Sequence, residues 1–258
     1  MQVLRLCQAA GLVKLGHVAL DDSLNEGLGR EGRFAGGGAR ARGPSRRRLD
    51  QGQAGGRARP EQAQPAPTAQ RNFTDPESRI MVDAAMKEFV QGYNAQATVD
   101  SHAPLIVAWG VTQAAADVGQ FVPMLEQAMG NVGQPPAPVT ADAGYFSEAN
   151  LNAPQFAGIE FYIPSDRQPH RRDASAGPSR KGPFSAAIRT KLQTAAGRAA
   201  YAGRKTIPEP LVGQIKQVRG FRRFWLRVVG KVRGEWGLIF LTHSLLKLFR
   251  ARTGLAPV

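Results

Sequence analysis

Apolar residues along the chain recur at two periods, and each change of period marks an element. Leu4, Leu6, Leu12 and Leu15 have helix-like spacing over residues 3–15, with Gly11 as the stop. Residues 17–20 read as a short strand that delivers Asp21 at its carboxyl end. Residues 89–99 predict a longer strand, and 104–111 its antiparallel neighbour, with Asp100 at the turn between them. Phe121, Met124, Leu125 and Met129 fall on one side of an amphipathic helix over 121–132. Two further strands are predicted: 138–145, carrying Asp142, and 158–164, where Ile159, Phe161 and Ile163 alternate with Glu160 and Tyr162. A helix over 184–201 turns Ile188, Leu192 and Ala195 inward. The last helix carries Trp236, Leu238, Ile239, Leu241, Leu245 and Leu248 onto the sheet.

Two polar runs interrupt this pattern. Residues 22–70 hold ten glycines, runs such as GREGRFAGGGARARGPSRRR and almost no large apolar residue. Such a composition cannot bury enough surface to offset chain entropy, so a disordered insertion is expected. An arginine-glycine tail that binds nucleic acid is the functional alternative. Residues 165–183 form a second polar loop, in which His170 reads as solvated. His17, His102 and His243 lack paired ligand spacing and read as structural. Residues 74–77, Thr-Asp-Pro-Glu, are turn-like and suited to capping a short helix.

Charge changes the picture more than composition does. From Arg189 to the end, fifteen Lys and Arg face only Glu209 and Glu235, which places +13 of the formal +14 in that stretch. Such asymmetry points to a polyanionic partner, nucleic acid before others, or else to a basic solvated surface. Cys7 is the single cysteine, which excludes an intrachain disulfide and a cysteine-rich metal site and fits a reducing, cytoplasmic setting. Arg5 and Lys14 spoil a signal-peptide reading of the start, and the apolar run near 238–249 is short for a membrane span.

Glu209 stands out as a carboxylate in a cationic field. A helix opened by Pro208 or Pro210 puts Glu209 at its start and Lys216 about 10 Å further along the same face. Arg219, Arg223 and Arg227 continue at helical spacing as one cationic stripe, with Leu211, Ile215, Val218 and Trp225 on another face. Asp142 sits in a strand–Asp–Gly–helix join, TADAGYFSEAN, that sets a carboxylate at the open end of a sheet. Taken alone, both Asp142 and Asp21 also read as ordinary turn residues.

These segments resemble the catalytic domain of bacterial insertion-sequence DDE transposases. The Tyr-x-x-Arg…Glu…Lys signature of that family reads here as Tyr201, Arg204, Glu209 and Lys216, with four residues between Arg204 and Glu209 where three are common. TADAGYFSEAN supplies the second acid and LGHVALD the first. The likeness covers 1–21, 72–167 and about 191–249. It implies an α/β fold, a ribonuclease-H-like mixed sheet flanked by helices, split by the Gly/Arg-rich insertion. The corresponding division is 1–21 and 71–250 for the catalytic domain, 22–70 for the insertion and 251–258 for a tail. It further implies Mg²⁺ or Mn²⁺ held by Asp21, Asp142 and Glu209, with Asp100 as a reserve acid. Tyr201, Arg204, Lys216, Arg219 and Arg223 would contact DNA, and an active form would be a homo-oligomer. Pro208 where an aliphatic residue is usual, Asp22-Ser23-Leu24 after the first acid and a start 20 residues before it depart from the pattern, and imply a degenerate copy. An insertion of this composition is what a shifted frame in GC-rich DNA would encode.

Overall fold

The longest strand organises the sheet. In the computed structural model, which describes residues 2–27, 72–82, 88–165 and 182–254, β3 (Phe89–Asp100) pairs antiparallel with β1 (Val18–Gly27) along nine residues, from Val18↔Asp100 to Glu26↔Gly92. The opposite edge of β3 is shared by two antiparallel strands. β2 (Arg79–Val82) takes its first part and β4 (Leu105–Thr112) its second. On the free edge of β1, two short parallel strands attach at opposite ends: β5 (Val139–Thr140) beside Val18 and Ala19, and β7 (Arg223–Phe224) beside Glu26 and Gly27. β6 (Phe161–Tyr162) joins β5 in parallel.

Strand alternation sends the two faces of β1 into two cores. Val18 and Leu20, with Val139 and Ala141, bury against α1 (Gln2–Ala9) and α2 (Phe121–Val132). There Phe121 meets Phe156 and Phe161 edge-on at 6.0 and 5.6 Å, contacts worth about 0.5–1.5 kcal/mol each beyond area burial. Ala19 faces the other way, with Tyr93, Ala95 and Ala97 of β3. That face is covered by α6 (Pro208–Gly213) through Leu211 and by α7 (Val229–Thr253) through Trp236 and Phe240.

Several elements depart from the sequence expectation, each for a tertiary reason. β1 runs six residues past Asp21 because β3 offers it a ladder partner as far as Gly92. The helix expected over 184–201 is two, α4 (Pro183–Gln193) and α5 (Ala195–Thr206). Thr194 breaks it: its hydroxyl accepts from the Gly197 amide at 2.9 Å, and a Cβ on Gly197 would lie 2.0 Å from the Lys191 carbonyl oxygen. Ala195 is therefore exposed, not inward. On α7 the packing residues are Trp236, Ile239, Phe240, His243 and Leu248, whereas Leu238, Leu241 and Leu245 are exposed. The strands near 139 and 161 are only two residues long. The insertion beyond residue 27, the polar loop with His170 and the last four residues lie outside the described residues.

Asp100 is structural. Fully buried, it accepts from the Lys14, Leu15 and His102 amides at 2.9, 3.3 and 3.4 Å and so ties α1's exit to the β3–β4 turn. The turn at 74–77 does cap a helix, but a distant one. Asp75 accepts from the Val228 amide at 3.3 Å and Glu77 from the Val229 amide at 2.6 Å, two carboxylates at the positive end of α7. Tyr93 donates its hydroxyl to Asp75 at 2.8 Å, and burial beside that carboxylate pushes the phenol far up.

His243 is 2% exposed, and its Nε2 has no hydrogen-bond partner. Burial, with Lys247 and Arg219 nearby, pulls the imidazole down to about 4. The unfolded chain therefore binds a proton that the native state refuses, and stability falls as pH drops from 6.5 towards 4. Urea denaturation at pH 7 and pH 4.5 is expected to show wild type losing up to about 3 kcal/mol more than His243→Leu. Equal losses would mean the ring takes a proton in the folded state.

Candidate catalytic site

Two of the three expected acids hang from neighbouring parallel strands. Ala19 pairs with Thr140 in the β1–β5 register, and two residues further along each chain stand Asp21 and Asp142. The His17 Nε2 lies 3.0 Å from the Thr140 hydroxyl on the face shared with Ala19. Alternation carries Asp21, half-buried, onto that same face. Asp142 follows β5 in extended backbone, φ −79° and ψ 176°, and its Oδ1 accepts from the Gly144 amide at 2.7 Å. That bond fixes the carboxylate at the start of the short 3-10 turn Ala143–Tyr145.

A further acid closes on the same space. A Cβ on Gly144 would lie 2.9 Å from Asp142 Oδ1 and 3.0 Å from Asp117 Oδ2. Asp117 precedes α2 and is held by two amides from β3, Asn94 Nδ2 at 2.6 Å and Gln96 Nε2 at 2.9 Å. Gln96 in turn donates to Asn94 Oδ1 at 2.7 Å and accepts from the Tyr145 hydroxyl. Burial pushes the Asp117 carboxyl up, the two amides oppose this, and Asp142 adds to it. Sequence reasoning missed Asp117. It stands in a loop between a strand and a helix, and no spacing ties it to position 142.

Helix α5 brings two of the signature residues to this end of the sheet. The Tyr201 hydroxyl is pushed up by burial; Arg204 opposes the shift and Asp142 reinforces it, so both charges act on the phenol. The Arg204 guanidinium lies 5.7 Å from the centre of the Tyr201 ring, and its buried Nε has no hydrogen-bond partner. Glu209 occupies the first turn of α6, as its flanking prolines suggest, but its side chain is exposed. Helix α6 itself packs on the Ala19 face through Leu211. Among the described residues, no three His, Cys, Asp or Glu side chains are gathered closely enough to hold a metal ion.

The basic segment is not one helical stripe. After α6 the chain widens into a π-helical turn, Gln214–Val218, and then reverses at Gly220 with φ +75°. Lys216 lies half-buried in that turn. Arg219 reaches back to α7, donating to the Ile239 carbonyl at 3.0 Å and to the Thr242 hydroxyl, with Phe221 beneath it at 5.1 Å. Burial pulls its guanidinium down, and its two bonds tie the end of the π-helical turn to α7. Arg223 is exposed on β7. Leu211 and Ile215 are buried as the apolar stripe requires, but Val218, at the end of the π-helical turn, is 74% exposed, and Trp225, beyond the reversal at Gly220, is 64% exposed.

Gly144 and Gly130 make a matched pair for testing the acid turn. Gly144→Ala crowds two carboxylates and is expected to cost about 1–3 kcal/mol in urea denaturation. Gly130→Ala, exposed inside α2 with nothing within 4 Å, should gain about 0.5–1 kcal/mol. A neutral Gly144→Ala would show that the two acids part freely.

Comparison with known families gives a match over most of the chain. The model for the transposase DDE domain matches residues 70–245, a span that holds Asp117, Asp142, Tyr201, Arg204, Glu209 and Lys216 but not Asp21. No curated protein and no solved structure matches the chain. With well over half of its length matched, the chain belongs to the transposase DDE domain family.

Proposed function

We propose that this protein is a DNA transposase that cuts and joins strands at the ends of an insertion sequence by metal-dependent phosphoryl transfer. The observation that carries the reading is the pair Asp21 and Asp142, set abreast on adjacent parallel strands with Tyr201 and Arg204 beside the second. A ribonuclease-H-like fold is supported by the path β4–β3–β1–β5–β6, antiparallel over its first three strands and parallel over the last two.

The donor set fits a hard divalent cation. Asp21, Asp142 and Glu209 offer carboxylate oxygens, the ligand type of Mg²⁺ and Mn²⁺. Such ions, when bound, supply charge stabilisation for the attacking and leaving oxygens of an in-line displacement. The chain's own part is positioning. The Gly144 amide fixes the direction of Asp142. Arg204, half-buried beside Tyr201, brings a guanidinium suited to a phosphate oxygen. Lys216 and Arg223 add sequence-independent attraction for the backbone, while Arg219 acts through α7. Glu209 must swing inward from solvent to join the other acids, and DNA laid across α6 supplies the occasion.

A second reading, a DNA-binding protein without catalysis, is favoured by the exposure of Glu209 and by the absence of three gathered ligands among the described residues. The two part in a Mn²⁺-dependent nicking and strand-transfer assay on DNA carrying the element's terminal repeats. Wild type is expected to cut, and Asp21→Asn, Asp142→Ala and Glu209→Gln to fall to the level of a metal-free control while still binding DNA. Equal products from all four proteins would remove the phosphoryl-transfer reading.

A further inference from the structure

The loop after β7 presents a tryptophan to solvent and holds it there. Phe224 is 1% exposed, packed edge-on against Tyr93 at 6.4 Å and Trp236 at 5.8 Å. Strand alternation then turns its neighbours Arg223 and Trp225 outward together. The backbone under the ring is pinned. Glu235 of α7 accepts from the Trp225 amide at 2.9 and 3.1 Å and from the Leu226 amide at 2.8 Å. The ring is 64% exposed and continues into Leu226 and Val228, 44% and 42% exposed, an apolar patch of the kind that marks an interaction site. Exposed Arg222 and Arg223 flank it, which selects an anion with an aromatic or planar group. A nucleic acid strand with accessible bases has both, and a tryptophan face accepts any base.

The position relative to the acids is fixed by the sheet. β7 and β5 lie on the same edge of β1, β7 beside Glu26 and Gly27, and Asp21 stands five residues before Glu26. Trp225 follows Arg223 by two residues, so at about 3.3 Å per strand residue it stands roughly 23 Å beyond Asp21, or about seven nucleotides of a strand rising 3.4 Å each. It turns to the other side of the sheet edge because Phe224 takes the Ala19 face. We propose that Trp225 stacks on an unpaired nucleobase about seven nucleotides from the phosphate at Asp21 and Asp142, on a strand that rounds the edge of the sheet. This rests on the transposase reading only for the identity of that phosphate; the stacking itself needs DNA binding alone.

The chain has three tryptophans, of which Trp236 is buried and Trp109 half-buried, so Trp225 dominates any emission change on binding. The test titrates full-length protein with a blunt duplex and with the same duplex carrying a single-stranded overhang that contains 2-aminopurine at successive positions. Wild type is expected to show quenched tryptophan emission and a 2-aminopurine response on the overhang DNA. Trp225→Ala should lose both and bind the overhang about tenfold or more weakly, with blunt-duplex affinity unchanged and Trp225→Phe retaining most of the gain. Circular dichroism matching wild type establishes that the variants fold. Wild-type and Trp225→Ala proteins that bind both DNAs alike, with unmoved emission, would overturn the stacking and leave the transposase reading standing. No DNA binding by wild type would overturn both. Trp225→Ala weakening blunt and overhang DNA equally, or abolishing self-association without touching DNA, would assign the ring to a general contact or to a protein interface instead.

Discussion

The β1–β3 ladder is the constraint from which the rest follows. Its nine paired residues fix which side chains of β1 point to which helix layer, and a slip of one would exchange the two cores. With Val18 and Leu20 committed to the α2 layer, Asp21 has no choice but the layer of α6. β5 then inherits its register from β1, and that register brings Asp142 level with Asp21. The acids are positioned by hydrophobic burial elsewhere on their strands.

The polar groups around Asp142 are arranged at some cost. Asn94, Gln96 and Asp117 occupy positions where apolar residues would pack, and they are tolerable only because each satisfies another. Two carboxylates facing one small space repel, and burial raises the penalty. Natural sequences keep such local conflicts chiefly where chemistry or binding needs them. The same trade is visible at Arg204, whose Nε is buried without a partner.

Much of this was legible in the sequence, and what was not has common causes. The long strand, its antiparallel neighbour and α2 were readable because each is a sustained period bounded by turn residues. Glu209 at a helix start followed from its two prolines. By contrast, β1 beyond Asp21 lacks any strand pattern of its own and exists because β3 is there to pair with it. The cationic stripe failed because helical spacing was extended across Gly220, a residue whose backbone freedom permits the reversal. The turn at 74–77 was legible as a cap but not its helix, which begins about 150 residues later, and Asp117 went unread because its partners are shown only by the packing.

The capping of α7 has a bearing on how the chain matures. The amides at the start of that helix find their acceptors in residues about 150 positions earlier, so the helix and the turn that completes it are made far apart in time on the ribosome. Until the final quarter of the polypeptide has emerged, one whole side of the sheet has nothing to cover it and must be kept from aggregating. A nascent product stopped before that helix would leave part of the Tyr93–Val99 surface uncovered, with only α6 against it.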